Sequence, residues 1–184
     1  MIATTLTFVA AAGLVAGLAA LGPRKAAYRA FRHTISELGE TGARDQHFVA
    51  FGLFLPVGLV LLAVAGLTFP AAPAVGALAL CVAVGYVGAA SFPCDPGSPW
   101  SGSPRQAIHN IAGAVEYVGG GFALMTIARE LGQPFKAAGF VVLAAAVGLS
   151  VVPANLGRGM LQRVAEACLF GGLGLACWHL ESVA

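Results

Sequence analysis

The length and number of its apolar runs constrain this chain most. Six segments, at residues 2–21, 47–68, 73–92, 106–128, 136–154 and 159–180, read as almost unbroken hydrophobic sequence. A helix needs about 20 such residues to cross the hydrocarbon core of a bilayer. In lipid, every backbone N–H and C=O must be satisfied within a helix or a closed barrel. Runs this long and uniform exclude barrel strands, which are shorter and alternate. The expected fold class is all-α: a polytopic membrane protein, a bundle of six transmembrane helices forming one domain over residues 1–184. Composition agrees, with 58% hydrophobic and 10% charged residues and a mean hydropathy of +0.84. Soluble domains carry about 25% charged residues. The first run is too long for the core of a signal peptide and has no basic segment before it, so it reads as a span. A net charge of +2 gives no reason to expect nucleic acid.

Two polar stretches interrupt the apolar mass: "RHTISELGETGARDQH" (Arg32 to His47) and "SFPCDPGSPWSGSPRQAIHN" (Ser91 to Asn110). With six spans, the connections 1–2, 3–4 and 5–6 share one membrane face. Eight basic residues belong to that face: Arg24, Lys25, Arg29, Arg32, Arg44, Arg105, Arg158 and Arg163. Only Arg129 and Lys136 belong to the other. The positive-inside rule then places the polar loops in the cytoplasm. The expected location is a bacterial inner membrane. The run "RKAAYRAFR" (Arg24 to Arg32) reads as an amphipathic segment in the headgroup layer, either a topology signal or a grip on lipid phosphate. Pro56 and Pro153 are expected to kink the second and fifth helices.

Helix 4 carries the most chemistry. Ser103-Pro104 reads as an N-cap followed by proline at the first helical position. His109, Gly113, Glu116 and Gly120 then share a face, with His109 and Glu116 about 10 Å apart along the axis. Glu116 lies inside a span, where a charge costs a few kcal/mol and calls for a partner; Arg163 is the expected one. Asp95 fits ordinary Asp-Pro-Gly turn chemistry, or it orients the His109 ring. "TISE" (Thr34 to Glu37) fits a capping box that starts a short interfacial helix. Ser36 is a candidate nucleophile if His109 or His33 reaches it. Gly39 and Gly42 fit turns, and Asp45 fits the N-cap of helix 2. A metal would need ligands from His33, His47, Asp95 and His109; no HExxH or comparable spacing occurs, and none is expected. No cofactor is implied. Of the cysteines, Cys81, Cys168 and Cys177 lie in apolar runs and read as core. Cys94 alone sits in a polar loop, as a ligand or a reactive thiol.

"TISELGETGARDQHFVAFGLFLPVGL", "SFPCDP", "HNIAG" and "GRGMLQR" occur in that order. The chain thereby resembles the six-helix bacterial membrane family catalogued as domain of unknown function 998. It is more distantly similar to Frag1/DRAM-type membrane proteins, which are linked to lipid remodelling and autophagy. The resemblance implies that Ser36, Gly39, Gly42, Asp95, His109 and Arg163 sit at motif positions, and it implies no reaction. Many relatives have basic N-termini, which would put the motif loops outside the cytoplasm. Some have a second cysteine shortly after FPCD; Ser98 stands in that region here, so a loop disulfide is not expected.

Two functional readings follow. In the first, the protein is a lipid-handling hydrolase or acyl transferase. His109 is the general acid or base, Asp95 its orienter, Ser36 or water the nucleophile, Glu116 a support, and Arg32, Glu37, Asn110 and Arg163 bind substrate. In the second, the same residues bind a headgroup or relay protons without catalysis, or the chain is a structural subunit. Membrane lipid is the expected partner in both lipid readings, with a second copy or another membrane protein as a further one.

Overall fold

A computed structural model describes residues 1–153 and 156–183. Ala154 and Asn155, where the fifth apolar run and the 5–6 connection meet, and Ala184 lie outside the described residues. The described residues form six helices and no strand: α1 (Ile2–Leu21), α2 (Phe48–Thr68), α3 (Pro73–Ser91), α4 (Pro104–Leu131), α5 (Phe135–Val151) and α6 (Arg158–Val183). Five are long and apolar enough to cross a membrane. The sixth, α5, is shorter; its 17 residues rise about 26 Å at 1.5 Å per residue, just short of a typical hydrocarbon core.

The helices close into a ring. Each packs against its sequence neighbours, α1 packs against α6, and α3 also touches α6 across the middle. At the seam, Glu181 near the end of α6 accepts from Ala3 N (2.8 Å) and Thr4 Oγ1 (2.6 Å), supplying acceptors to the unsatisfied first turn of α1. Leu61, Leu78, Leu124, Leu169 and Leu173 are wholly buried. Phe8, Phe51, Phe122, Phe140 and Trp178 face outward, as in a protein whose surroundings are themselves apolar.

The two prolines act differently from one another. Pro56 follows a π-helical stretch, Phe48–Phe54, that passes into α-helix at Leu55. The wider turn accommodates a ring that would otherwise crowd the carbonyl four residues back. Pro153 does not kink α5. The helix has already ended at Val151, with Val152 extended, because the residue before a proline is pushed out of the helical region. The run Arg24 to Arg32, read as an amphipathic segment, follows one 3-10 turn (Gly22–Arg24) and goes on in turns.

Candidate functional site

The polar connections interlock into a cap over one end of the ring. Thr34 and Glu37 form the expected capping box. Glu37 N donates to Thr34 Oγ1 (3.3 Å), and Glu37 Oε1 accepts from Thr34 N (2.9 Å). The helix it starts is a single 3-10 turn, Ser36–Gly39, because the segment is drawn down onto α6. Ile35 N donates to Gln162 Oε1 at 2.6 Å. Beside it, a side chain at Gly159 would collide with the backbone carbonyls of Ala30 and His33. The 1–2 and 3–4 connections are tied directly: Thr41 N and Oγ1 donate to Cys94 O (2.9 and 3.0 Å), and Gly97 N donates to Glu40 Oε2 (2.7 Å). Arg158 at the start of α6 clamps both. Its guanidinium reaches Glu37 Oε1 (3.1 Å), Gly97 O (2.6 Å) and Ser98 O (3.1 Å). The pair is largely buried, with side-chain exposures of 13% for Arg158 and 5% for Glu37.

Every carboxylate on this face is matched to one base: Glu37 to Arg158, Glu40 to Lys25 (2.7 Å), Asp45 to Arg24 (2.8 Å) and Asp95 to Arg105 (3.3 Å). Arg29, Arg32 and Arg44 have no carboxylate partner among the described residues. All three are exposed. Asp45 does not cap α2, since its carboxylate is held by Arg24, whose hydrogen bond keeps it below the usual carboxylate range. A cleft of about 400 Å³ opens beside this pair, with Leu21, Leu38 and Val49 on its walls and Arg24, Lys25 and Arg44 at its rim.

The expected catalytic set is not assembled. Asp95 Oδ2 accepts from Ser103 N (2.7 Å) and Oδ1 from Ser103 Oγ (2.8 Å). Those bonds, with Arg105 beyond them, hold its carboxyl below the usual range. Asp95 thus orders the turn leading into α4, where Ser103 caps Gln106 N as the sequence predicts, and it makes no contact with His109. His109 is buried, and its Nδ1 donates to Phe92 O (2.9 Å). That bond satisfies a carbonyl at the end of α3 that has no helical partner. The Ser36 hydroxyl has no hydrogen bond among the described residues. The Ser36 carbonyl accepts from the Cys94 thiol at 3.5 Å. Cys94 is wholly buried, and burial pushes its thiol up to about 12, so it is an inert donor rather than a nucleophile. All four cysteines are free. Gly113 does not line a pocket under His109. Ala112 takes that face and packs onto Gly88. Asn110 accepts from Gln106 Nε2 (2.7 Å) and donates to Trp100 O (2.8 Å), holding the 95–103 turn.

Arg163 does not meet Glu116. Its guanidinium fixes the basic run instead, donating to Ala30 O (2.6 Å), His33 O (3.0 Å) and Tyr28 Oη (2.6 Å). Glu116 faces the neighbour one turn further along α6, Glu166, and the two carboxyls lie within hydrogen-bonding reach of each other. Glu166 accepts from Tyr117 Oη (2.6 Å) and Tyr86 Oη (2.9 Å), and Gln162 Nε2 donates to Tyr117 Oη (2.9 Å). A side chain at Gly85 on α3 would collide with the Glu116 carboxyl. The turn that carries Glu116 and Tyr117 is π-helical (Val115–Gly119); its wider pitch lets two consecutive side chains both face inward, and such turns recur at functional sites. Sequence reasoning singled out Glu116 but not Tyr86, Tyr117, Gln162 or Glu166 as its company. The available signal was Gln162 and Glu166 at i and i+4 on one face of α6. Among the described residues no cluster of three or more His, Cys, Asp or Glu could hold a metal.

Interlocked loops over a ring of long apolar helices, with acids inside the ring, define a multi-pass helical membrane protein. The chain belongs to the family described as "Protein of unknown function (DUF998)", whose model matches residues 8–179. No curated protein and no solved structure matches it.

Proposed function

We propose that this protein binds the anionic headgroup of a membrane lipid at its polar face and does no covalent chemistry on it. One observation carries the reading: all four acids of that face are paired with bases, and Arg29, Arg32 and Arg44 remain exposed without a carboxylate. Guanidinium groups at headgroup depth are suited to lipid phosphate. The cleft that Arg44 helps to line, with leucine and valine walls and further basic residues in Arg24 and Lys25, matches an amphiphile whose phosphate stays outside while its glycerol backbone descends. The reading sets the protein in a bacterial inner membrane with these arginines in the cytoplasmic leaflet. Hydrolase or acyl-transfer chemistry around His109 and Asp95 is disfavoured, because each of those side chains is committed to a backbone group elsewhere.

Native mass spectrometry tests this on protein extracted gently from membranes containing phosphatidylglycerol and phosphatidylethanolamine. Wild type is expected to retain phosphatidylglycerol selectively. The triple variant Arg29→Gln/Arg32→Gln/Arg44→Gln is expected to lose it. Equal retention of both lipids, or unchanged retention by the triple variant, sinks the reading.

A further inference from the structure

The centre of the ring holds two acids and no base. Glu116 and Glu166 are each 6% exposed. The groups that face Glu116 are Cys81 and Tyr86 from α3, Tyr117 from its own helix, and Glu166 from α6. Helices α1 and α2 contain no ionisable side chain, and the one on α5, Lys136, sits in its first turn at the opposite membrane face. No lysine, arginine or histidine makes a hydrogen bond or ion pair with either acid among the described residues. Two carboxylates in contact, buried and without a cation, are not both ionised at neutral pH.

The hydrogen bonds say which one is neutral. Glu166 receives two phenol protons, one on each oxygen. A carboxylate with its lone pairs met by donors is the stable form there. Glu116 receives none, and its Oε1 has no N–H or O–H partner. Each phenol has one proton and has already given it to Glu166, so neither can serve Glu116. An orphaned buried carboxyl beside an anion is resolved by a proton of its own. Gly85 keeps the space for this side chain, and the π-helical turn aims it.

The two sides of the pair differ. Glu166 is eight residues from the start of α6, about 12 Å below the polar face at 1.5 Å per residue. On that side the hydrogen bonds continue from Glu166 through Tyr117 and Gln162 to Ile35 N, under the Glu37–Arg158 clamp. On the far side lie Leu124, Leu169 and Leu173, all wholly buried.

The geometry points to a proton-binding site: Glu116 carries one proton, donates it in a hydrogen bond to Glu166, and exchanges it with water. The ligand is the proton itself, taken from and returned to water, so no further reactant is needed. The site is independent of the lipid reading, since none of its residues lines the cleft or belongs to the exposed arginines.

Infrared spectroscopy of the whole protein in lipid nanodiscs tests it, by the C=O stretch of a protonated carboxyl. The other six acids are ion-paired or exposed, so at neutral pH they contribute no such band. Wild type is expected to show the band at neutral pH, lose it reversibly as the pH is raised, and keep its helical circular dichroism throughout. Glu116→Gln is expected to abolish it, because the remaining carboxylate then accepts from two phenols and an amide. The inference is overturned by absence of the band in wild type, by its persistence in Glu116→Gln, or by titration only with loss of helix. If a variant does not fold, the wild-type titration decides alone.

Discussion

The polar face and the buried centre handle charge in opposite ways. On the face, each of four acids has its own base, and arginines are left over. About 12 Å below, two acids have each other and two phenols. Near water a charge is easily solvated, and exposed ion pairs add little. In the interior a base would bring a desolvation cost of its own, and neutral donors do the same work more gently. Position in the membrane, more than residue type, decides how these six acids are treated.

Substitutions can break that contrast, beginning at the centre. Glu166→Leu removes the acceptor of both Tyr86 and Tyr117 and leaves two buried hydroxyls with no group to donate to. At about 1–3 kcal/mol for each orphaned group, it is expected to be the most destabilising of these changes. Unfolding in mixed detergent, followed by circular dichroism, measures it. Glu166→Gln keeps an acceptor and should lose less than half as much. A Glu166→Leu protein as stable as wild type would mean that the centre is not what holds the ring together.

Arg158→Leu comes next. It strips the partner from a buried carboxylate, which costs about 3 kcal/mol in comparable cases, and it frees the Gly97 and Ser98 carbonyls. Amide hydrogen exchange should accelerate across residues 34–40 and 95–103 while the helix cores stay protected. Thr34→Ala removes half of the capping box, with an expected loss of about 1 kcal/mol and faster exchange at Glu37 N.

The smallest effects belong to exposed charge. The Asp95 carboxyl is held below its usual range by Ser103 and Arg105. Its contribution is therefore complete above the ordinary aspartate value of about 4 and is lost as pH falls through the lowered one. Amide exchange at Ser103 N should rise only in that acid window, and Asp95→Asn should flatten the dependence. Arg24→Gln breaks a pair whose arginine is half exposed; in high salt its unfolding curve should overlay that of wild type.

The helices were legible because their signal is local. An apolar run of 20 residues in lipid has one backbone solution, and the observed elements coincide with the six runs to within a few residues. The caps at Thr34 and Ser103 were legible for the same reason, since each motif bonds to itself within four residues. Pairing between helices was not. Arg163 and Glu166 are one turn apart on α6, and nothing in the spacing says which of them faces α4. Helix rotation and the π-helical turn at Glu116 decide it. Asp95 and His109 were linked on proximity in the chain, yet each side chain satisfies a backbone group instead. Backbone groups take precedence over other side chains because leaving them unmet is expensive.

The seam between α1 and α6 also bears on how the molecule is made. Glu181 meets Ala3 and Thr4 across nearly the full length of the chain. A ribosome delivers α1 well before α6. The first helix must therefore wait in the bilayer, its first turn without acceptors, until α6 has been made. Glu116 waits as well, delivered on α4 before the helix that carries Glu166. It enters the membrane with no partner acid beside it, and in that interval it is least costly uncharged. The arrival of α6 is thus a single event that closes the ring and completes the acid pair together.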